Sequence, residues 1–562
     1  MISFNKIFKA NSYWMAKKQN SILSAAFIIT VANISSSLLG LLRERVLIKL
    51  FFNNIEGQQA YEAFQVAFQI PDLLFQLIVL GALSAAFIPL FTELKRKDKK
   101  KAFTFTSTVM NLVLLIFAFF SIVAFIFARP ITLARTGAEF TPEQVEIAVN
   151  LTRVMLFAQF FFAISNFLTG ILQAYQRFII PAIAPLVYNL GIIITSIFLA
   201  QYLGIYAAGL GVVIGAALHM LIQLPLILKT GYRWQASFDW RFSEVKKLFK
   251  MMPPRLMTVG VGELQNLAMG FFATSIGNLS FVIINLARRL MTLPIRFFGV
   301  PISQASFPFL SEESADANRK KFNQLLLQSL NQISFLAMPA SVLLLILRVP
   351  AVRLVFGTAN FPWQTTIATG KVVALIAISI TAQAMVQLLI RGFYALKDTR
   401  TPFMVTTISV LVYLMTNVVG IYVFNLGVFS LGISITVAAF VELLLMLILL
   451  QKKIQCFTFA DFFLPQLKIL LASFFMAVFL YLPFKILDEV VFDTTRTVDL
   501  IALTVSTSTI ALLVYLYFSI LFDVKELSYF NSLIAKFGKW RPVLEDSQEV
   551  LLDSSIEDEL SK

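Results

Sequence analysis

The chain has 562 residues, of which 58% are hydrophobic and 14% charged, and its mean hydropathy is +0.81; an ordinary soluble domain is about 45–50% apolar and about 25% charged. A water-soluble enzyme is excluded, and with one cysteine (Cys456) and one histidine (His219) so are a disulfide framework and zinc chemistry built on several Cys or His ligands. The net charge of +15 and pI near 9.7 would suggest nucleic acid in a soluble chain, but in a membrane chain they must first be set against loop bias.

Apolar runs punctuated by Gly, Pro and charge place spans near 21–50, 59–92, 102–128, 146–174, 179–202, 205–229, 251–276, 279–310, 323–348, 366–396, 401–424, 427–451, 466–487 and 497–522. The expected fold is an all-α polytopic membrane protein of about fourteen transmembrane helices. The first run continues past signal-peptide length without a small-residue cleavage pattern, so it is expected to stay as a span. Several runs exceed the roughly 20 residues that cross a bilayer, which predicts tilted or broken helices. The side holding the 93–101 loop (Lys95, Arg96, Lys97, Lys99, Lys100, Lys101) and the 229–255 loop carries 27 Lys and Arg, and the other side carries nine. By the positive-inside rule both termini are cytoplasmic. Topology then accounts for most of the basic charge, and no nucleic-acid partner is expected. The end of the chain, 545–562, holds seven acids against one lysine and reads as a solvated tail.

Self-comparison uncovers an internal repeat. Ser84 to Glu93 (SAAFIPLFTE) aligns with Ser303 to Glu312 (SQASFPFLSE) at an offset of 219 residues; Gly170 and Pro181 match Gly392 and Pro402 at 222 and 221; Leu203-Gly204-Ile205-Tyr206 matches Leu426-Gly427-Val428-Phe429 at 223. Each half has six spans, an even number, so the halves are parallel repeats of the kind that build alternating-access transporters, with two C-terminal helices added. The expected organisation is a cytoplasmic segment 1–20, a first repeat 21–229, a linker 230–250, a second repeat 251–451, helices 13 and 14 at 452–522, and a cytoplasmic acidic tail 523–562.

Charges inside spans are expensive and mark functional candidates. Span 1 carries Arg43, Glu44 and Arg45 after Gly40; span 2 opens on Glu62 and has Asp72 beside Pro71; span 8 has Arg288, Arg289 and Arg296. Arg289 and Arg296, seven apart, share a helix face, and the repeat places them toward the interface between halves. Clustered guanidinium groups suit phosphate or pyrophosphate. Two competing readings stand beside this one: Arg43 and Arg45 as interfacial anchors, and Arg288, about 100° around the helix from Arg289, as a structural residue. Glu263, Lys371, Arg391 and Glu442 also lie in spans, with buried pairing as the alternative to substrate contact. His219 reads as a packed neutral imidazole. Pro71, Pro89, Pro253, Pro254, Pro294, Pro301 and Pro308 remove backbone hydrogen bonds in or beside spans 2, 7 and 8, predicting bends; Gly40, Pro71, Pro89, Pro294 and Pro308 are the hinge or gating candidates.

Gly40-Leu-Leu-Arg43-Glu44, Glu62-Ala63-Phe64 with Ile70-Pro71-Asp72-Leu73-Leu74, Gly81-Ala82-Leu83-Ser84 with Phe87-Ile88-Pro89, and Arg289-Leu290-Met291 before Leu293-Pro294 resemble the MurJ/MviN family of lipid II flippases in the MOP exporter superfamily. The resemblance covers roughly residues 20–520. It implies export of an undecaprenyl-pyrophosphate-linked peptidoglycan precursor across a bacterial cytoplasmic membrane, with the headgroup in a cationic cavity, a lipid-tail groove toward spans 13 and 14, no cofactor, and cell-wall synthesis machinery and membrane lipids as partners. Arg43 and Arg289 fall on cavity arginines of the family and Glu62 on an acid at the start of span 2. Ser37 and Phe75 stand where the family has arginines, Leu80 where it has a glutamate, and Arg288 where it has an acid. Arg45, Arg288 and Arg296 supply replacement charge in a divergent site, or the substrate differs. Asn417 matches a polar span-11 position, whereas Ile421 replaces the acid one turn later; Glu263 and Asn417 are the candidates for coupling to a monovalent ion or the membrane potential. The alternatives are an exporter of another polyprenyl-pyrophosphate oligosaccharide or a small cation, and a non-transporting scaffold with a decayed site. A membrane enzyme lacks any supporting motif.

Overall fold

A computed structural model describes residues 22–80, 87–314, 320–454 and 459–527. The N-terminal segment 1–20, residues 81–86 with the first part of the Ser84–Glu93 landmark, Cys456 and the acidic tail beyond residue 527 lie outside the described residues. Elsewhere the described chain is helix after helix, as a chain this apolar requires in lipid, where backbone groups must be satisfied within the segment.

Among the described residues, ten helices are long and apolar enough to cross a membrane, or eleven if Trp363–Ala377 and Ile380–Ala395, bent by 46°, form one span. The expected count of fourteen is not reached on that criterion. The expected spans at 21–50, 251–276 and 279–310 are helical too, over Ile22–Phe51, Ser243–Ile276 and Ser280–Glu313. They are missing from the count of clearly apolar helices, and it is these three that carry Arg43, Glu44, Arg45, Glu263, Arg288, Arg289 and Arg296. Length and apolarity alone therefore do not establish fourteen crossings.

The described residues divide into two compact units, one drawn from 22–136 and 140–263, the other from 137–139 and 264–527. In the first unit, the core is dominated by Phe. Phe87 lies 5.9 Å from Phe105 and 5.4 Å from Phe167, and a Cβ on Gly170 would sit 2.9 Å from the Phe87 ring. The glycine landmark of the repeat is thus a close-packing position, as membrane helices use small residues to approach. An extended segment, 232–239, runs along the first turns of the Lys99–Ile126 helix. Asn111 Nδ2 donates to the carbonyls of Gln235 (2.8 Å) and Ser237 (2.9 Å), Trp234 Nε1 donates to Asn111 Oδ1 (2.8 Å), and Ser107 and Thr108 meet Tyr232 and Ser237. Polar ridge and unpaired backbone satisfy each other.

In the second unit, the appended helices Phe459–Val490 and Thr497–Leu521 pair through stacked Phe475 and Phe518 rings 4.1 Å apart. Tyr515 Oη donates to Phe335 O (2.8 Å) and Gln466 Nε2 to Asn331 Oδ1 (2.8 Å), tying both helices to Lys320–Ile346. Outward-facing apolar side chains such as Phe119, Ile122, Leu470 and Leu513 are exposed, which suits contact with lipid.

Both repeats break their second helix at matching places. π-Helical turns cover Phe75–Leu80 and Ile295–Gly299, starting 220 residues apart, within the offsets of the other landmarks. π-Turns are rare and concentrate at functional sites. A third covers Val419–Val423.

Candidate functional site

In the first unit the charged residues of span 1 form a connected set. Arg43 Nη2 donates to Glu44 Oε1 at 2.6 Å and Nη1 to Asn189 Oδ1 at 3.0 Å, while Tyr61 donates its hydroxyl to Glu44 Oε2. Three helices, Ile22–Phe51, Ile55–Ala67 and Ile179–Leu203, meet here. Asn189 is the eleventh of 25 residues in its helix, so Arg43 reaches the middle of a span rather than an interface, and the snorkelling reading does not fit it. Its side chain is 12% exposed, Glu44 is 2% exposed, and Arg43 Nε has no partner among the described residues. Arg45 is half-buried on the same helix. Gly40 has open space around its Cβ position, so packing does not require a glycine there.

Glu62 is buried and accepts from Gln144 Nε2 (3.1 Å); Gln144 also closes the capping box with Thr141 that starts the Pro142–Ala174 helix. This carboxylate thus ties span 2 to the start of span 4. Asp72 faces Gln76 and Glu263 in the same unit. Phe75, at the family's span-2 arginine position, is buried against Phe162.

The break in span 2 has outside support. Pro71 cannot donate to Ala67 O, and Thr152 Oγ1 does so instead at 3.2 Å; Val66 O accepts from Arg135 Nη2 and Gln69 Oε1 from Arg135 Nη1, both at 2.5 Å. Arg135 ends the short Ala128–Arg135 helix, and burial alone lowers its guanidinium pKa to about 9, so it stays charged at neutral pH.

In the second unit Arg288 Nη2 donates to Asn266 Oδ1 (3.1 Å) and Nη1 contacts Met269 Sδ (3.2 Å). Arg289 is half-buried, and Arg296 is exposed on the π-turn, where Pro294 ends the Ser280–Pro294 helix. Pro308 bends within Val300–Glu313, and Pro89 lies in the first turn of Phe87–Lys97. Arg391 Nη1 donates to Val300 O (3.1 Å) and to Ser303 Oγ, closing the second broken helix. Glu442 accepts from Thr406 (2.8 Å), and Lys371 lies 5.8 Å from the Phe429 ring. Asn417 is fully buried; its Nδ2 donates to Tyr413 O (2.9 Å), and its Oδ1 has no partner among the described residues. His219 is a packed side chain, with Ser165 Oγ 2.6 Å from Nδ1 and the Phe162 ring at 5.3 Å. Among the described residues, no group of three or more His, Cys, Asp or Glu could hold a metal ion.

Asn189, Tyr61, Gln144 and Arg135 carry much of this arrangement, and sequence reasoning passed over all four. Arg135 was visible only as a charge counted in a loop; nothing in its neighbours in sequence says that it reaches Val66.

Helical repeats, a π-turn at the same place in the second helix of each, and charged residues within the spans mark a polytopic membrane protein with the repeat architecture of transporters. Residues 52–498 match the family described as "Lipid II flippase MurJ", and the chain belongs to that family. It is 28% identical over 441 residues to the lipid II flippase MurJ of Burkholderia cenocepacia, covering 77% of this chain and 84% of that one. It is 26% identical over 512 residues to a probable lipid II flippase MurJ of Bdellovibrio bacteriovorus, covering 90% and 95%. Among solved structures, "Lipid II flippase MurJ, inward closed conformation" superposes with a TM-score of 0.72 at 25% identity, over 88% of this chain and 99% of that one. An inward-facing multidrug resistance MATE transporter of the MOP superfamily gives 0.62 at 15% identity, over 76% and 98%, and shares the fold.

Proposed function

We propose that this protein is a lipid II flippase, moving the lipid-linked peptidoglycan precursor from the inner to the outer leaflet of the bacterial cytoplasmic membrane by alternating access. The single observation that carries the reading is the family match across 52–498. The π-turns in both second helices supply the play that such a cycle uses. A pyrophosphate-binding role for Arg43 and Arg289 draws support from the mid-span depth of Arg43; for Arg43 to receive a phosphate, Glu44 must give way on one edge of the guanidinium. Arg45 and Arg296 add positive charge, and Arg288 serves mainly to hold its helix. Both termini face the cytoplasm in this reading, and the enzymes that make and polymerise the precursor are its partners. Coupling to the membrane potential or a monovalent ion would act through Glu263 and the buried Asn417 Oδ1.

Complementation tests it. The gene is expressed in a strain depleted of its own lipid II flippase, with leaflet accessibility of lipid II as the readout. Growth with restored outer-leaflet lipid II is expected. Normal insertion with no outer-leaflet lipid II sinks the assignment and favours another polyprenyl-pyrophosphate substrate, a reading supported by Phe75, which is buried among apolar side chains where the family has an arginine.

A further inference from the structure

The second unit contains a cavity of about 290 Å³ whose lining includes Arg348, Arg353, Trp363, Tyr481, Phe484 and Asp488. It lies at the end of the unit opposite Lys320 and Lys321, where the Lys320–Ile346 helix finishes. The short Arg348–Phe356 helix, the start of Trp363–Ala377 and the outer ends of the two appended helices enclose it. Tyr481, Phe484 and Asp488 are spaced i, i+3, i+7 and share one helix face.

Arg348 Nη1 donates to Leu345 O (3.2 Å), and the Arg353 guanidinium lies 5.7 Å from the Trp363 ring centroid. Neither arginine has an ion pair among the described residues. Both belong to the sparse set of nine basic residues on their side of the membrane, where arginine is disfavoured as a topological signal. Two arginines lining one aromatic-walled site at a helix-bundle end suit a phosphodiester at headgroup depth. A purely anionic headgroup would bring its charge against Asp488, whereas a headgroup that also carries an ammonium would satisfy it. Ile486 and Val498, close in sequence to the lining residues Asp488 and Leu500, are exposed apolar side chains available to acyl chains.

We propose that this cavity binds a zwitterionic phospholipid headgroup, with its phosphodiester on Arg348 and Arg353 and its ammonium on Asp488. The site is separate from the proposed transport residues, and its test reads lipid binding rather than flipping. Full-length protein in detergent is titrated with phosphatidylethanolamine, phosphatidylglycerol, glycerophosphoethanolamine or inorganic phosphate, and lipid adducts are counted by native mass spectrometry. Phosphatidylethanolamine should bind about tenfold more tightly than phosphatidylglycerol, the scale of one charge contact. R348Q/R353Q should lose both lipids by about tenfold or more, and D488N should abolish the preference while keeping phosphatidylglycerol binding. Equal binding by wild type and R348Q/R353Q overturns the site. Competition by inorganic phosphate as effective as that by the lipid overturns the lipid assignment in favour of a solution anion. If R348Q/R353Q melts below wild type, D488N decides alone: an unchanged preference overturns the proposal.

Discussion

Both second helices carry a π-turn at matching positions, yet the side chains that brace each helix from outside do not match. In the first, Arg135 from a short helix outside the spans and Thr152 from span 4 reach the carbonyls of Val66 and Ala67, ahead of the turn. In the second, Arg391, from within Ile380–Ala395, reaches Val300 O and Ser303 Oγ just past the turn, and Ser303 Oγ itself also donates to Val300 O. Duplication passes on the position of a break because the residues that make it are copied with the helix. The groups that satisfy it come from elsewhere and are free to diverge. An unsatisfied carbonyl in an apolar setting costs about 1–3 kcal/mol, which sets the scale of what Thr152 supplies at Ala67 O, whose helical donor Pro71 removes.

The largest expected effect lies in the unit where charge is most tightly paired. Arg43→Ala removes one partner of the buried Glu44, leaving the Tyr61 hydroxyl on its other oxygen, and should cost about 3 kcal/mol of stability as well as transport. Adding Glu44→Gln should recover much of the melting temperature without recovering lipid II translocation; recovery of both would make Arg43 a purely structural residue. Arg289→Ala in the other unit should abolish complementation at matched expression, and wild-type growth would remove it from the pyrophosphate site.

Next come the two caps. Arg135→Met and Arg391→Met each should lower stability by about 1–3 kcal/mol, read by thermal denaturation in detergent. Arg135→Met should be the worse of the two, because Arg135 is buried and holds two partners, whereas Ser303 Oγ still donates to Val300 O once Arg391 is lost. The reverse order would show that Ser303 does not hold Val300 O by itself. A double-mutant cycle sharpens this: Thr152→Val should cost about 1 kcal/mol in the wild type and less in Pro71→Ala, where a restored N–H can reach Ala67 O. Additive losses would mean that Thr152 and Pro71 are not coupled through that carbonyl.

The smallest effect is a pH dependence at the start of the Arg400–Val418 helix. Burial pushes the Asp398 carboxyl up, but Lys453, the Thr401 hydroxyl and the Thr401 N–H outweigh it and hold the carboxyl at about 2. A folded value below the unfolded one of about 3.9 stabilises the protein above about pH 4, and that contribution is lost as pH falls toward 2. The melting temperature of Asp398→Asn should therefore converge with that of wild type at low pH and lie below it at neutral pH. Parallel curves would show that the carboxylate charge contributes nothing.

Most of the fold was legible because it depends on local composition and periodicity: helix positions, the repeat and the bends near proline all follow from residues close in sequence. Length and apolarity alone leave out the three helices whose charges mark them as candidates for function. Of the candidate site, Arg43 was legible as an intramembrane charge, but its depth was not, since that is fixed by Asn189, 146 positions away in the chain. The caps stayed hidden for the same physical reason. A donor that satisfies a freed carbonyl is chosen by three-dimensional reach, and one sequence records reach only after folding.

The segment along the Lys99–Ile126 helix sets a constraint in time. Asn111 precedes Gln235 by 124 residues, and at about 5–20 residues per second of synthesis the polar ridge of that helix waits roughly 6–25 seconds for its partner. During that interval Ser107, Thr108 and Asn111 must be served by water or by the insertion machinery, so early arrival of the helix in bare lipid would be a hazard. The ridge occupies the lysine-flanked end of the helix, the part that a nascent chain can keep at the aqueous boundary until the later segment emerges.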